Sequence, residues 1–263
     1  MNARHSPDAG LDAALRHLAR TAETAGMLIG LDFDGVMAPL RDDPASSRPL
    51  PAAVEALRRL ARAPGVHLAF VSGRGLADLA ERSAPPDGTL LVGSHGAERG
   101  RWADGQLHRI ELGLEPAASE LLEDLAGRLH AAVAGSTGRV ELKPASVVLH
   151  TRTATDDDAA RLTAQALALG SQDGVDVLHG KDVVELSVHR ATKGEALAAL
   201  RTELCVGAVA YAGDDVTDER AFATLGPGDV PIKVGAGPTA ARFRVADPAA
   251  LAAVLGRLAD LTA

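Results

Sequence analysis

Short apolar runs alternate along the chain with longer segments whose apolar residues recur every three or four positions. Residues 11–24 and 52–63 have this helical spacing, whereas the runs that begin at Met27 and His67 are continuous and end in polar residues and glycine. A continuous apolar run closed by a turn signal is typical of a buried parallel strand. The alternation predicts right-handed crossovers and an α/β fold with a parallel sheet.

The same pattern extends over most of the chain. It predicts further strands at 90–93, 206–212 and 230–234, a hairpin at 101–111, and helices at 76–83, 115–134, 156–169, 192–203, 216–225 and 247–261. The segments 139–151 and 175–188 are strand-like and are separated by one of these helices. A helix-strand, helix-strand arrangement at this point predicts a small α/β cap with an antiparallel or mixed sheet. We therefore predict a discontinuous core formed by 1–113 and 188–263 and a cap formed by 114–187.

Two of the predicted strands end in pairs of carboxylates. Asp32 and Asp34 follow the first run, and Asp214 and Asp215 follow the strand at 206–212. In open α/β sheets the ligand crevice lies at the carboxyl ends of the strands. Turn formation and helix capping are the structural alternative for such residues. Acid pairs on two strands nevertheless favour an oxygen-rich site without thiolates, which suits Mg²⁺.

Two further residues fit a site for a phosphoryl group. Ser72 ends the second strand, and Lys193 stands in a Thr-Lys-Gly sequence just before a helix. A hydroxyl, an ammonium group and glycine-rich backbone amides around a metal can bind phosphate. Each of these residues taken alone is more often simply solvated.

Composition narrows the class of protein. The 263 residues are 46% hydrophobic, 24% charged and carry a formal net charge of −8. This charge, with no basic stripe or interleaved aromatic residues, argues against a nucleic-acid partner. No apolar run has the length that crosses a membrane, and residues 1–10 lack a signal-peptide core, so we expect a cytoplasmic protein. The single cysteine, Cys205, excludes an internal disulfide and is expected to be buried.

Four ordered motifs resemble those of phosphatases of the haloacid-dehalogenase superfamily. They are Leu-Asp-Phe-Asp-Gly-Val-Met at 31–37, Val-Ser-Gly-Arg at 71–74, Thr-Lys-Gly at 192–194 and Gly-Asp-Asp-Val-Thr-Asp-Glu at 213–219. The resemblance implies a Rossmann-like core with a cap. It makes Asp32 the nucleophile, Asp34 the general acid and base, and Ser72 and Lys193 the residues that hold the phosphoryl group. Magnesium ligands would be Asp32, Asp34 (through its backbone oxygen) and Asp214, with Asp215 and Asp218 beside them. Many sugar-phosphatase relatives have Thr-Leu where this chain has Val36-Met37.

A finer resemblance is to the trehalose-6-phosphate phosphatases. It rests on Val-Gly-Ser-His-Gly-Ala-Glu at 92–98, Glu-Leu-Lys at 141–143 and Gly-Lys-Asp-Val-Val-Glu at 180–185. The substrate-binding residues that it implies are Arg74, His95, Gly96, Glu141, Lys143, His150, Lys181 and Glu185. The implied activity is magnesium-dependent hydrolysis of trehalose 6-phosphate through an aspartyl phosphate, with a trehalose-phosphate synthase as an associated partner. The alternatives are a capped phosphatase for sucrose phosphate, mannosyl-phosphoglycerate or a hexose phosphate, and an inactive sugar-phosphate sensor.

Overall fold

The computed structural model of the chain describes residues 9–111, 113–188 and 192–263. Its backbone separates into two compact units, one formed by 9–111 with 192–263 and the other by 113–188. Residues 112 and 189–191, beside the predicted domain boundaries, lie outside the described residues, as do residues 1–8 of the segment considered for a signal peptide. None of the described helices combines the length and the apolar character needed to cross a membrane.

The described residues form twelve strands and eight α-helices. The strands are β1 (Met27–Leu31), β2 (Val66–Val71), β3 (Leu90–Gly93), β4 (Glu98–Ala103), β5 (Gln106–Ile110), β6 (Arg139–Leu142), β7 (Ser146–His150), β8 (Asp176–Gly180), β9 (Val183–Ser187), β10 (Ala208–Gly213), β11 (Val230–Val234) and β12 (Phe243–Val245). The helices are α1 (Ala9–Ala25), α2 (Pro51–Leu60), α3 (Leu76–Ser83), α4 (Pro116–Val133), α5 (Asp156–Gly170), α6 (Lys193–Leu204), α7 (Val216–Ala223) and α8 (Pro248–Leu261).

The larger unit is built on an eight-stranded sheet in the order β12-β11-β10-β1-β2-β3-β4-β5. The six strands from β12 to β3 are parallel, and the β4–β5 hairpin extends the sheet antiparallel to β3. The central strand, β1, pairs with β10 on one side and with β2 on the other. The predicted α/β class with a mostly parallel sheet is confirmed.

Helices cover both faces of this sheet, as the continuous apolar strands require. Met27, Ile29 and Leu31 of β1 pack in one cluster with α1, α2, α3 and α8, whereas Leu28 packs in a second cluster with α6 and α7. This alternation is the two-residue period of a strand. Asp32, the next residue after β1, is four positions after Leu28. It therefore lies on the same side of the sheet as Leu28, toward α6.

Local signals at the helix starts agree with the prediction. Pro51 opens α2, where its missing N–H is tolerated. Thr192 and Glu195 form a reciprocal capping box at the start of α6. Asp247 accepts a hydrogen bond from the N–H of Ala250 and caps α8.

The smaller unit is a four-stranded antiparallel sheet, in the order β6-β7-β9-β8, with two helices on one face. Leu125 and Leu129 of α4 and Leu162 of α5 pack against the buried residues Leu149 and Leu186 of the sheet. The two-residue period of the strands places Glu141, His150 and Glu185 on the opposite face, beside the apolar Val148 and Leu178.

Three features differ from the expectation. The segments 139–151 and 175–188 each fold into a hairpin, β6–β7 and β8–β9, because turns at 143–145 and 181–182 interrupt them. The short edge strand β12 was not anticipated from its three residues. Cys205 is exposed rather than buried, because it ends α6 in the left-handed conformation with φ of 53° and points away from the core.

Candidate active site

The parallel strands of the larger unit bring the predicted core residues to one edge of the sheet. Asp32 follows β1, Ser72 follows β2, and Asp214 follows β10. A cavity of about 400 Å³ opens at this edge. It is lined by Asp32, Asp34, Leu40, Pro44, Ser72, Gly73, Arg74, His95, Lys193, Asp214 and Asp215. Gly96, the remaining substrate-binding residue predicted for this unit, is buried in the turn that carries His95.

The carboxylate of Asp32 is held from two sides. One oxygen accepts a hydrogen bond of 2.6 Å from the N–H of Phe33, and the other accepts one of 2.8 Å from the Nζ of Lys193. Burial raises the pKa of Asp32 to about 8, while the charge of Lys193 opposes that shift. Burial also acts to lower the pKa of Lys193, but the charges of Asp32 and Asp218 outweigh it and raise that pKa. Lys193 therefore carries a positive charge at the bottom of the cavity.

Asp218 organises the floor of the site. Its Oδ1 accepts hydrogen bonds from Lys193 Nζ at 2.9 Å and from the hydroxyl of Tyr211 at 2.5 Å. Its Oδ2 accepts from the backbone N–H groups of Asp214 and Asp215 at 2.8 and 3.0 Å. Asp218 thus fixes both the general position of the ammonium group and the turn after β10.

The sequence pattern did not identify Tyr211 as a residue of the site, because it lies within an apolar run that predicts a buried strand. Its ring packs tilted against Phe222, with 5.8 Å between centroids, and its hydroxyl meets an acid that lies on the next helix. The capping role considered for Asp215 is confirmed, since its side chain accepts from the N–H groups of Thr217 and Asp218.

Asp34 is paired with Arg74. The guanidinium donates to both oxygens of this carboxylate, from Nε at 2.6 Å and from Nη2 at 2.8 Å. The same guanidinium binds Asp78 at 2.6 Å and lies 5.2 Å from the centre of the Phe33 ring. Arg74 therefore contacts the predicted acid–base residue directly, a contact that the residue spacing did not indicate.

Asp214 approaches the loop after β1 closely. A Cβ on Gly35 would lie 2.0 Å from one oxygen of Asp214, and Gly35 has φ of +71°, so both space and conformation require glycine here. Burial, followed by the charges of Asp218 and Asp215, raises the pKa of Asp214 to about 6. The acidic ends of two strands that are distant in sequence therefore meet, as predicted.

Asp32 and Asp214 both line the cavity and offer the carboxylate oxygens that a divalent cation prefers. Single oxygens of Asp32, Asp215 and Asp218 lie within 4.8 Å of one another, but Lys193 Nζ already bridges this group. Burial and the charges of Asp218 and Asp215 raise the pKa of Asp214, whereas the charges of Lys193 and Lys233 act to lower it, so a bound cation would further favour the ionised carboxylate. Lys233 holds only the backbone oxygen of Asp214, at 2.6 Å.

Four of the five predicted sugar-binding residues of the smaller unit form two pairs, and Lys181 is the fifth. Lys143 lies 3.1 Å from Glu185, whose same oxygen accepts a hydrogen bond of 2.6 Å from Ser146. His150 lies 2.9 Å from Glu141. Lys181 and His150 line a cavity of about 620 Å³ with Thr137, Arg139, Arg152, Thr153, Asp182 and Val183.

Comparisons with known proteins place this chain in a family. The profile of the family described as Trehalose-phosphatase matches residues 30–249. The trehalose-phosphate phosphatase of Mycobacterium marinum is 38% identical over 241 residues, covering 87% of this chain and 60% of that protein. A bifunctional trehalose-6-phosphate synthase/phosphatase of Thermoproteus tenax is 34% identical over 251 residues, covering 90% of this chain and 32% of that protein.

The structural comparison agrees on the fold. A crystal form of Aspergillus fumigatus trehalose-6-phosphate phosphatase superposes with a TM-score of 0.66 and 21% identity, covering 94% of this chain and 97% of that one. The chain spans 60% of the length of the Mycobacterium marinum relative that it matches. Since the family profile covers most of the sequence and includes every residue of the cavity, the chain belongs to the trehalose-phosphatase family.

Proposed function

We propose that this protein hydrolyses trehalose 6-phosphate to trehalose and phosphate in a magnesium-dependent reaction with an aspartyl-phosphate intermediate. The observation that carries the proposal is the carboxylate of Asp32, buried in the cavity floor and held by Lys193 and the N–H of Phe33. Because burial raises the pKa of Asp32 to about 8, the ionised carboxylate that would attack phosphorus depends on the positive charge of Lys193 and of a bound cation. The choice of trehalose 6-phosphate as the substrate rests on the names of the relatives, which are called trehalose-phosphate phosphatases.

In the proposed first step, an oxygen of Asp32 attacks phosphorus while the bond from phosphorus to the sugar oxygen breaks. Asp34 donates a proton to that leaving oxygen, and trehalose departs. Asp34 then accepts a proton from water, whose oxygen attacks phosphorus, and phosphate leaves as the Asp32 carboxylate is restored. Each oxygen of Asp34 accepts one hydrogen bond from Arg74, so the transferred proton is proposed to use the second lone pair of one of these oxygens.

Lys193 and Ser72 are proposed to bind the phosphoryl oxygens. Asp32 and Asp214, with the backbone oxygen of Asp34, are proposed to hold Mg²⁺. When bound, the cation supplies positive charge to the oxygens of the transferring group. The proposed role of Asp218 is to keep Lys193 in place, since the two groups are 2.9 Å apart and both are buried.

We further propose that the larger unit is the catalytic core and that the smaller unit is a cap that recognises the sugar. All four phosphatase motifs lie in the larger unit, while Glu141, Lys143, His150, Lys181 and Glu185 lie in the smaller one. Paired carboxylates and ammonium groups on a sheet face can exchange their mutual hydrogen bonds for bonds to sugar hydroxyls.

Another capped phosphatase, for sucrose phosphate, mannosyl-phosphoglycerate or a hexose phosphate, is the competing proposal. A catalytically inactive sensor is disfavoured by the intact Asp32–Lys193–Asp218 network.

The test is phosphate release from trehalose 6-phosphate and from those competing sugar phosphates, with and without Mg²⁺. Asp32→Asn is expected to lower kcat by at least about a thousandfold, because it removes the nucleophile. The exposed Asp173→Asn is the matched control and should leave the rate unchanged. A near-normal rate for Asp32→Asn would contradict the covalent route, and a preference for another ester would replace trehalose 6-phosphate as the substrate.

The cap proposal has its own comparison. Glu185→Gln is expected to raise KM for trehalose 6-phosphate while leaving hydrolysis of p-nitrophenyl phosphate unaltered, because the latter has no sugar. Glu120→Gln, exposed on α4, is its control. Equal effects of Glu185→Gln on both esters would contradict sugar recognition.

Two further expectations remain proposals. The relative from Thermoproteus tenax is named for both synthase and phosphatase, which supports association with a trehalose-phosphate synthase. Gel filtration of the two purified proteins, separate and mixed, tests that association. Fractionation of the cells that make the protein tests the expected cytoplasmic location.

A further inference from the structure

Glu98 joins three parts of the larger unit beside the cavity without lining it. Its Oε2 accepts hydrogen bonds from the backbone N–H of Leu76 at 3.0 Å and from the hydroxyl of Ser94 at 2.7 Å. Its Oε1 accepts from Arg109 of the β4–β5 hairpin at 2.9 Å. The carboxylate is only 11% exposed, and these donors together hold its pKa below the usual value although burial acts to raise it.

The turn that Ser94 begins has an uncommon backbone. Ser94 and His95 both adopt the left-handed region, with φ of 48° and 58°, although neither is glycine. Such residues persist where surrounding contacts impose the conformation, and they cluster at functional sites. His95 is the residue of this turn that lines the cavity.

The turn is packed onto the loop that carries Ser72 and Arg74. The N–H of Ser94 donates to the oxygen of Arg74 at 2.8 Å, and the N–H of His95 donates to the oxygen of Ser72 at 3.0 Å. A Cβ on Gly93 would lie 2.7 Å from the nitrogen of Leu76, so the two loops meet backbone to backbone. The carboxylate of Glu98 bonds to both sides of this junction.

We propose that Glu98 is a positioning residue, which holds the 94–96 turn in its left-handed conformation and thereby sets His95 and Arg74 at the substrate cavity. The structural part of this proposal stands on the contacts of Glu98 alone, and its consequence for turnover rests on the proposed phosphatase function. Glu98 does not contact Asp32, Lys193 or Asp218, and it reaches Arg74 only through the neighbouring backbone, so its loss should act on substrate binding more than on the chemical step.

Hydrogen–deuterium exchange of wild-type protein and Glu98→Ala tests the structural part. The amides of Ser94 and His95 should exchange at least about tenfold faster in the variant, because two hydrogen bonds to a charged acceptor are lost at the junction. The control is Arg99→Ala, which breaks the 2.6 Å pair of Arg99 with Glu203 one position along β4 and should leave these amides unchanged. Unchanged exchange in Glu98→Ala, or equal acceleration in Arg99→Ala, overturns the proposal.

The activity of the same variants tests the functional consequence. Glu98→Ala should raise KM for trehalose 6-phosphate by about tenfold or more with a smaller change in kcat. Adding Ser94→Gly to Glu98→Ala should recover part of the loss, because glycine adopts a positive φ without strain. No recovery of KM in the double variant overturns the proposal.

Two outcomes separate this inference from the proposed function. If Glu98→Ala does not fold, Glu98→Gln replaces it. The amide oxygen of the glutamine can still accept a hydrogen bond at the junction, whereas Arg109 loses its anionic partner. A smaller acceleration of the same amides is then expected. If wild-type protein hydrolyses no phosphate ester, the proposed function fails, and the exchange experiment still decides the role of Glu98.

Discussion

Replacing Tyr211 by phenylalanine tests the network beneath the candidate nucleophile. Tyr211 is the single tyrosine of the sequence and is fully buried, and its hydroxyl donates to Asp218 at 2.5 Å. Burial and then the charge of Asp218 hold the pKa of Tyr211 well above its usual value, so the hydroxyl remains a donor. The substitution removes this donor and keeps the ring that packs on Phe222.

The expected loss follows from the kind of hydrogen bond. A bond to a charged, buried acceptor contributes about 1.5–3 kcal/mol, so we expect the free energy of unfolding to fall by about 2 kcal/mol. For a chain of this size that corresponds to a Tm lower by about 4–8 °C. Asp218 keeps its bonds to Lys193 and to two backbone N–H groups, so kcat should fall by less than about tenfold.

Urea unfolding followed by circular dichroism measures the stability, and phosphate release measures kcat. The control is Thr202→Val, which removes an exposed hydroxyl bonded to a helix carbonyl and should change stability by no more than about 0.5 kcal/mol. A Tyr211→Phe variant as stable as wild type would mean that Asp218 is not a charged acceptor at this position. The assignment of Asp218 as the residue that holds Lys193 would then be wrong.

Two further substitutions test the charges of the site. Lys193→Met should abolish turnover and lower the free energy of unfolding in urea by about 3–5 kcal/mol, because Asp32 and Asp218 lose the cation between them. Unchanged stability of this variant would contradict the pairing of Lys193 with the two acids. Asp214→Asn should weaken Mg²⁺ binding by at least about tenfold in calorimetry, since it removes one of two candidate carboxylate ligands. Without metal, Asp214→Asn should be more stable than wild type as pH rises from about 4 through about 6, because the pKa of Asp214 is raised in the folded state and its ionisation there opposes folding. A stability difference that does not depend on pH would contradict the raised pKa assigned to Asp214.

The positions of the core residues were predictable because each depends on local signals. The apolar runs before Asp32, Ser72 and Asp214 form strands, and the helices between them make those strands parallel. Parallel strands deliver their last residues to a common edge whatever their distance in the chain. The resemblance of the motifs then supplied the chemistry, and the family is confirmed.

Contacts between side chains were not predictable in the same way. The pairing of Arg74 with Asp34, and that of Tyr211 with Asp218, depends on how a loop and a helix pack after the sheet has formed. The hairpins of the smaller unit were read as single segments because their turns are too short to interrupt the apolar pattern. The role of Glu98 depends on donors from three elements, which no spacing in the sequence brings together.

The sequence by itself determined the α/β class, the acids at two strand ends and the glycine beside them, because backbone preferences and hydrophobic period act over a few neighbouring residues. Only the tertiary structure decided which charged side chains form pairs. Lys193 stands between Asp32 and Asp218, and Arg74 faces Asp34, because buried charges select their partners by the packing of elements that are far apart in the chain.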